Sequence, residues 1–164
     1  MTAAPETSRT ACLLVRDAAD RAAHHAIRHA VFVTEQGVFA EDDHDVHDAD
    51  PRTLHVLGLV GGVPAGTVRL FPLEREGEPA GDWQGDRLAV LADFRTSGLG
   101  APLVRFAVAT AAAHGGRRMI AHVQPANETF FRRLGWTRRG EPEMYVGHPH
   151  LLMDIDLQAA AGRG

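Results

Sequence analysis

The chain reads as a single α/β domain built on a mixed central sheet with helices on both faces. Three observations lead there. Short apolar runs of strand length alternate with helix-length segments along the whole sequence. The 164 residues carry no internal repeat and no linker, so one domain's worth of core is available. A strand, a glycine-rich turn and an alanine-rich helix also follow one another without a break between Leu88 and His114. Residues 1–10 and 159–164 are small and polar and read as frayed ends around a domain spanning 11–158.

Taken in order, Cys12 to Val15 forms a first short strand. Asp17 stands where an N-cap belongs, before a helix from Ala18 to Val33 with Ala22, Ala26, Ala30 and Val33 at near-helical spacing. Gly37 to Arg52 is a polar, acidic connector. Strands at Leu54–Val60 and Ala65–Phe71 flank Gly61-Gly62-Val63-Pro64, which reads as a hairpin turn. The charged stretch from Glu74 to Gly85, with its glycines and proline, reads as a loop. The strand Leu88 to Leu91 comes next, and a helix from Gly100 to His114 is stopped by Gly115-Gly116. Met119–Val123 is a strand, Ala126–Leu134 a short helix, and Trp136–Gly140 and Leu151–Leu157 are the closing strands.

The chemistry concentrates at Arg95-Thr96-Ser97-Gly98-Leu99-Gly100. Glycines at the mouth of a helix remove side-chain bulk, so successive backbone N–H groups can converge on an anion, helped by the positive helix pole. Pro102 fits a first helical turn, where its missing N–H has no intrahelical partner to lose. The spacing R-x-x-G-x-G is neither the dinucleotide fingerprint nor a Walker loop, since it has no lysine at the turn.

Preceded by Leu88-Ala89-Val90, that spacing resembles motif A of the GNAT superfamily of acyl-CoA-dependent N-acyltransferases. Phe130-Phe131-Arg132-Arg133-Leu134-Gly135-Trp136 is similar to the family's F-Y-x-x-L-G-F segment. Arg28-His29-Ala30-Val31-Phe32-Val33-Thr34-Glu35-Gln36 is similar to the opening of a branch holding small bacterial acetyltransferases and acyl-homoserine-lactone synthases. The resemblance runs from about residue 12 to 157. It implies a mostly antiparallel mixed sheet of six to seven strands, acetyl-CoA as cosubstrate, and a small amine as acceptor. It also implies roles. Amides of Gly98, Leu99, Gly100 and Ala101, with Arg95, Thr96 and Ser97, hold the pyrophosphate. Leu88, Ala89 and Val90 lie along the pantetheine arm, with the Val90 N–H as oxyanion donor. Phe130 and Phe131 flank the same arm. Gln124 and Asn127 both compete for the place of the family asparagine.

The sequence departs from the family where a tyrosine usually protonates the leaving thiolate, because Phe131 stands there without a hydroxyl. A thiol of pKa about 8.5 is already a fair leaving group, so acyl transfer survives that loss. Tyr145, placed in the loop between the last two strands, is the remaining phenol. His122 is a candidate base because imidazole titrates near neutrality; Asp86 and Glu35 are rivals. His148-Pro149-His150 either faces the cleft or turns the chain.

Glu41-Asp42-Asp43-His44-Asp45-Val46-His47-Asp48 places two histidines among five carboxylates. It reads as a solvated loop, with an acidic rim attracting a cationic amine as the functional alternative; no metal is expected. Seventeen Lys and Arg against 21 Asp and Glu give a net charge of −4, which argues against a nucleic-acid surface. Cys12 is the only cysteine, so no internal disulfide forms and a cytoplasmic home is expected. No apolar run reaches membrane-spanning length, the N-terminus lacks the apolar core of a signal peptide, and no membrane partner is expected. A homodimer is the default assembly for a small soluble enzyme. Two rivals to the amine acetyltransferase remain: an acyl-homoserine-lactone-synthase-like enzyme and a catalytically idle acyl-CoA sensor.

Overall fold

The computed structural model describes residues 9–73, 81–145 and 147–158; of the ends expected to fray, 1–10 and 159–164, residues 1–8 and 159–164 lie outside them, as does much of the Glu74–Gly85 loop, while Thr10 already belongs to the first strand. Seven strands make one sheet in the order β1-β2-β3-β4-β5-β7-β6. They are β1 (Thr10–Leu14), β2 (Leu54–Val60), β3 (Val63–Pro72), β4 (Asp82–Val90), β5 (Arg118–Val123), β6 (Thr137–Tyr145) and β7 (His148–Asp156). The helices are α1 (Ala18–Arg28), α2 (Gly100–Ala113) and α3 (Glu128–Arg133). β4 and β5 run parallel, while β1–β2, β5–β7 and β6–β7 are antiparallel. Contacts gather into two compact units, Met1–Arg69 with Arg87–Ala107 and Leu70–Asp86 with Val108–Gly164.

In the first unit, the Asp17 carboxylate accepts from the Asp20 N–H at 2.8 Å and starts α1 where the sequence places it. The α-helix ends earlier than expected. At His29 it widens into a π-helical turn that runs to Glu35, with the Gln36 N–H reaching the Val31 carbonyl. His24, Ile27, Arg28 and Val31 form its buried stripe at i, i+3, i+4 and i+7. Ile27 and Val31 pack with Leu57 and Ala89, and Leu13, Phe32 and Leu91 close over them.

The β2–β3 hairpin is tighter than expected. Gly61 and Gly62 have φ of 56° and 79°, the two positive values a two-residue primed turn requires, so Val63 and Pro64 join β3. Further along, Cβ atoms added at Gly58 or Gly66 would come within 3.0 Å of Leu99 and Leu103 side-chain atoms. Those two glycines leave the room in which Leu99 and Leu103 anchor the start of α2. The Leu103 N–H to Leu99 carbonyl bond, 3.1 Å, opens the helical ladder.

In the second unit, β4 begins at Asp82, not at Leu88 as its polar residues suggest. Trp83, Gln84 and Gly85 are buried, and the polar positions find partners: Asp82 pairs with Arg118 at 3.5 Å, and Gln84 reaches Asp86. Pro125 opens a 3₁₀ turn (Pro125–Asn127), so α3 itself starts only at Glu128. Phe131 is buried edge-on to Trp136, ring centroids 5.3 Å apart. Both closing strands are longer than read from sequence. Tyr145 ends β6 opposite His148 of β7, so neither Tyr145 nor His148-Pro149-His150 lies in a loop. Cross-strand pairing satisfies those polar backbones where composition alone signals a turn.

Candidate active site

Val90 ends β4, and after Leu91 the residues Ala92–Ser97 form a 3₁₀ helix that delivers the chain to Gly98. Gly98 has φ of 80°, a left-handed conformation in which a side chain is strained, and a Cβ there would meet nothing within 4 Å. The turn is therefore bare on its outer side. Leu99 is buried beneath it, its N–H 3.3 Å from the Ser97 Oγ, and α2 starts at Gly100. The first N–H groups of a helix have no intrahelical acceptor, and Pro102 contributes none, so Gly98, Gly100 and Ala101 can present backbone donors beside the positive pole of a 14-residue helix. Such a surface suits a diphosphate. Thr96 is exposed and Ser97 half-buried on the same approach.

The structure brings together three residues that the sequence assigned to separate tasks. The Arg95 guanidinium bonds both Glu35 carboxylate oxygens through Nη1 and Nη2, and its Nε donates to the Val90 carbonyl at 3.1 Å. Both charged side chains are solvent-exposed. The hydrogen bonds from Arg95 hold the Glu35 carboxyl below its ordinary pKa, so Glu35 is a paired anion.

Upstream of Val90, Arg87 is the only non-glycine described residue with positive φ, 54°. Thr67 Oγ1 donates to the Arg87 carbonyl at 2.8 Å, and its guanidinium donates to Asp43 at 3.0 Å and lies 4.8 Å from the Phe39 ring. These contacts hold a conformation that costs about 1–3 kcal/mol elsewhere. The last residues of β4, Leu88, Ala89 and Val90, follow that kink.

The acidic connector is solvated only in part: Glu41, Asp42, His44 and Val46 are exposed, but three of its five carboxylates are held by arginines. Asp43 is buried and accepts from Arg28 Nε at 2.7 Å; Asp48 accepts from Arg28 Nη1 at 2.8 Å; Asp45 accepts from Arg69 at 2.7 Å. Arg28 and Arg69 are themselves fully buried, so each needs these anions. Burial alone would raise the Asp48 carboxyl, but the Arg28 hydrogen bonds outweigh it and hold it far below the carboxylate range. Sequence reading missed this clamp because Arg28 and Arg69 sit in a helix and a strand far from the connector. The one available signal was an arginine on the apolar stripe of α1.

Behind the clamp lie His24, His25, His44 and His55, with successive ring centroids 4.3–5.7 Å apart. His24 Nδ1 is 3.0 Å from the Val56 carbonyl, and Nε2 faces Arg28 Nη1 at 3.4 Å. Burial, with His55 and Arg28 adding to it, lowers the His24 pKa to about 2. Burial also lowers His55, to about 4. Among the described residues, no group of three His, Cys, Asp or Glu is placed to hold a metal ion.

In the second unit, His122 sits half-buried on β5, its ring stacked on Tyr145 at 4.0 Å and 8°. Tyr145 in turn meets His150 edge-on at 5.5 Å. Burial and the neighbouring His150 lower the His122 pKa, while Asp86 and Glu143 pull it upward. Gln124 and Asn127 are exposed, and neither side chain caps a helix. Phe130 is half-buried against Phe131, whose ring is spent on the Trp136 packing.

Residues 19–136 match the Acetyltransferase (GNAT) family. A Bacillus subtilis (strain 168) protein described as an acetyltransferase is 31% identical over 128 residues, spanning 77% of this chain and 83% of that protein. The solved structure of a Lactobacillus plantarum protein described as an N-acetyltransferase superposes with a TM-score of 0.76 at 25% identity, covering 90% of this chain and 98% of that one. BjaI, a CoA-dependent acyl-homoserine lactone synthase solved with SAM and isopentyl-CoA, shares the fold at a TM-score of 0.69 and 21% identity, covering 86% and 78%. The glycine turn at the head of α2 lies inside the matched span, and this chain belongs to the GNAT acetyltransferase family.

Proposed function

We propose that this protein transfers an acetyl group from acetyl-CoA to a small amine by direct attack of the amine on the thioester. The observation that carries this reading is the open, left-handed Gly98 turn leading into α2, with backbone donors and no side chain above them. Bound there by its diphosphate, the cofactor supplies an activated acyl carbon. The Val90 N–H is the proposed donor to the carbonyl oxygen as it gains charge. His122 is the proposed base; its lowered pKa keeps the ring neutral at pH 7, able to take the ammonium proton of the acceptor. The amine nitrogen then forms the C–N bond and gives up its second proton to solvent, the C–S bond breaks, and the sulfur leaves as thiolate. Phe131 offers it no proton, so solvent protonates it. Tyr145 is assigned the stacking partner of His122, not the acid. Cys12 as the only cysteine supports a cytoplasmic setting.

The test is thiol release from acetyl-CoA over a panel of amines, with coenzyme A binding measured in parallel. Gly98→Asp should weaken coenzyme A binding by about 100-fold or more through like-charge repulsion. Unchanged affinity in the folded variant would remove the site. The kcat/KM profile of the wild type should fall as pH drops, with a midpoint below 6.5, the ordinary histidine value, because the base must be neutral. His122→Gln should lower kcat about 100-fold and abolish that limb; a limb that persists in the variant assigns the base elsewhere. Coenzyme A binding without turnover of any amine would favour a sensor.

A further inference from the structure

The pairing of Glu35 with Arg95 carries a consequence for cofactor binding. Arg95 lies in the 3₁₀ helix that ends at Gly98. Arg95 precedes Gly98 by one turn of such a helix, about 6 Å along its axis. Its guanidinium is the cation nearest in sequence to the proposed diphosphate seat, yet its two-pronged edge is engaged by the Glu35 carboxylate. A diphosphate oxygen pair seeks that same edge, because carboxylate and phosphate match the guanidinium fork alike. The Glu35 pair is exposed on both sides, and exposed pairs are weak in water and readily exchanged. The third bond, from Nε to the Val90 carbonyl, uses a different edge and can persist through the exchange.

We propose that Glu35 is a displaceable counter-ion, and that the diphosphate of the acyl donor competes with its carboxylate for Arg95. This rests on the acyl-CoA reading above and adds a residue that sets cofactor affinity. Before binding, Glu35 neutralises Arg95 and engages its two-pronged edge. Binding transfers the guanidinium to the diphosphate and leaves the Glu35 carboxylate in water as an unpaired anion. Donor binding thereby unmasks a negative charge on the segment that follows α1, and a cationic acceptor binds better after the donor than before it. Linkage requires the reverse as well: a bound cation at Glu35 tightens coenzyme A.

Calorimetric titration with coenzyme A tests this on the full chain. Glu35→Gln should tighten coenzyme A about 2- to 5-fold, because Arg95 no longer has to be released. Arg95→Gln should weaken it by about 10-fold or more, and adding Glu35→Gln to Arg95→Gln should change nothing further. Equal or weaker binding by Glu35→Gln overturns the proposal, since Glu35 would then be neutral or supportive toward the donor. An independent reading comes from the Glu35 carboxyl itself, followed by NMR in protein carrying carbon-13 glutamate and assigned against Glu35→Gln. It should titrate below the ordinary glutamate value in the free protein and return toward it at saturating coenzyme A. A carboxyl that stays low in the saturated protein means the pair survives binding and also overturns the proposal. Coenzyme A that fails to bind the wild type sinks both readings. Binding that Gly98→Asp abolishes and Glu35→Gln leaves unchanged sinks this one alone.

Discussion

Two polar interruptions of the first unit, the stretch from Gly37 to Arg52 and the turn around Gly98, meet opposite fates. The first is rich in charge, yet its central carboxylates are folded inward and neutralised by Arg28, Arg69 and Arg87. The second has no carboxylate or lysine between Thr96 and Pro102, yet its backbone donors face outward with open space above. Ionisable side chains are therefore a poor guide to where this molecule can bind a charged ligand. What matters is whether the fold has already consumed the charge. A buried cation must be matched within the protein, so every carboxylate recruited to Arg28 is lost to chemistry. Backbone amides at a helix head have no such obligation.

The contrast can be broken most forcefully at Arg28. Arg28→Met leaves Asp43 and Asp48 short of their shared cation and should cost about 3 kcal/mol or more, lowering the melting temperature by about 6–12 °C. A melt within about 2 °C of the wild type would show the clamp to be dispensable. Gly98→Asp should do the reverse. Its loss is in coenzyme A affinity, with a stability cost of about 1 kcal/mol, since aspartate tolerates a left-handed φ better than most residues. Equal loss of stability and binding in both variants would erase the distinction between clamp and cradle.

A smaller effect should appear with pH. His24 and His55 are lowered in the folded protein, to about 2 and about 4, chiefly by burial; the Arg28 charge adds to both, and the Arg21 charge adds more to His55. The unfolded chain binds protons at these rings near 6.5 while the folded one does not, so stability is full above about pH 6.5 and falls as pH drops toward 4. His25 and His44 share the cluster, and Asp48, lowered by its Arg28 hydrogen bonds, adds to the loss only below the ordinary carboxylate range, where the unfolded chain takes up a proton that the folded one does not. Thermal melts should drop by several degrees between pH 7 and pH 5, and His55→Gln should flatten that slope. A melt independent of pH over this range would mean the cluster opens to water. The subtlest expected change is the few-fold gain in coenzyme A affinity for Glu35→Gln, which asks whether an exposed pair beside the cradle behaves unlike the buried pairs of the clamp.

Much of this architecture was legible in the residues. The Asp17 cap, β2 from Leu54 to Val60, and α2 from Gly100 follow from local chemistry and appear within a residue of their expected ends. The elements misread share one cause. β4 from Asp82, β6 through Tyr145 and β7 from His148 are polar strands whose backbone bonds come from partner strands, a distant one for β4 and each other for the ends of β6 and β7. Composition scored them as loops because nothing local reports a partner strand. The candidate site divides the same way. The Gly98 turn was visible as a spacing, whereas the Arg95–Glu35 and His122–Tyr145 contacts join segments 60 and 23 residues apart.

The sequence by itself determined which segments are helical, where an anion seat can form, and which family the chain resembles, since caps, glycines and motif spacings act over a few residues. Only the tertiary structure decided which charges are spent. Arg28 and Arg69 are buried, and desolvation compels each to find anions that only folding brings within reach.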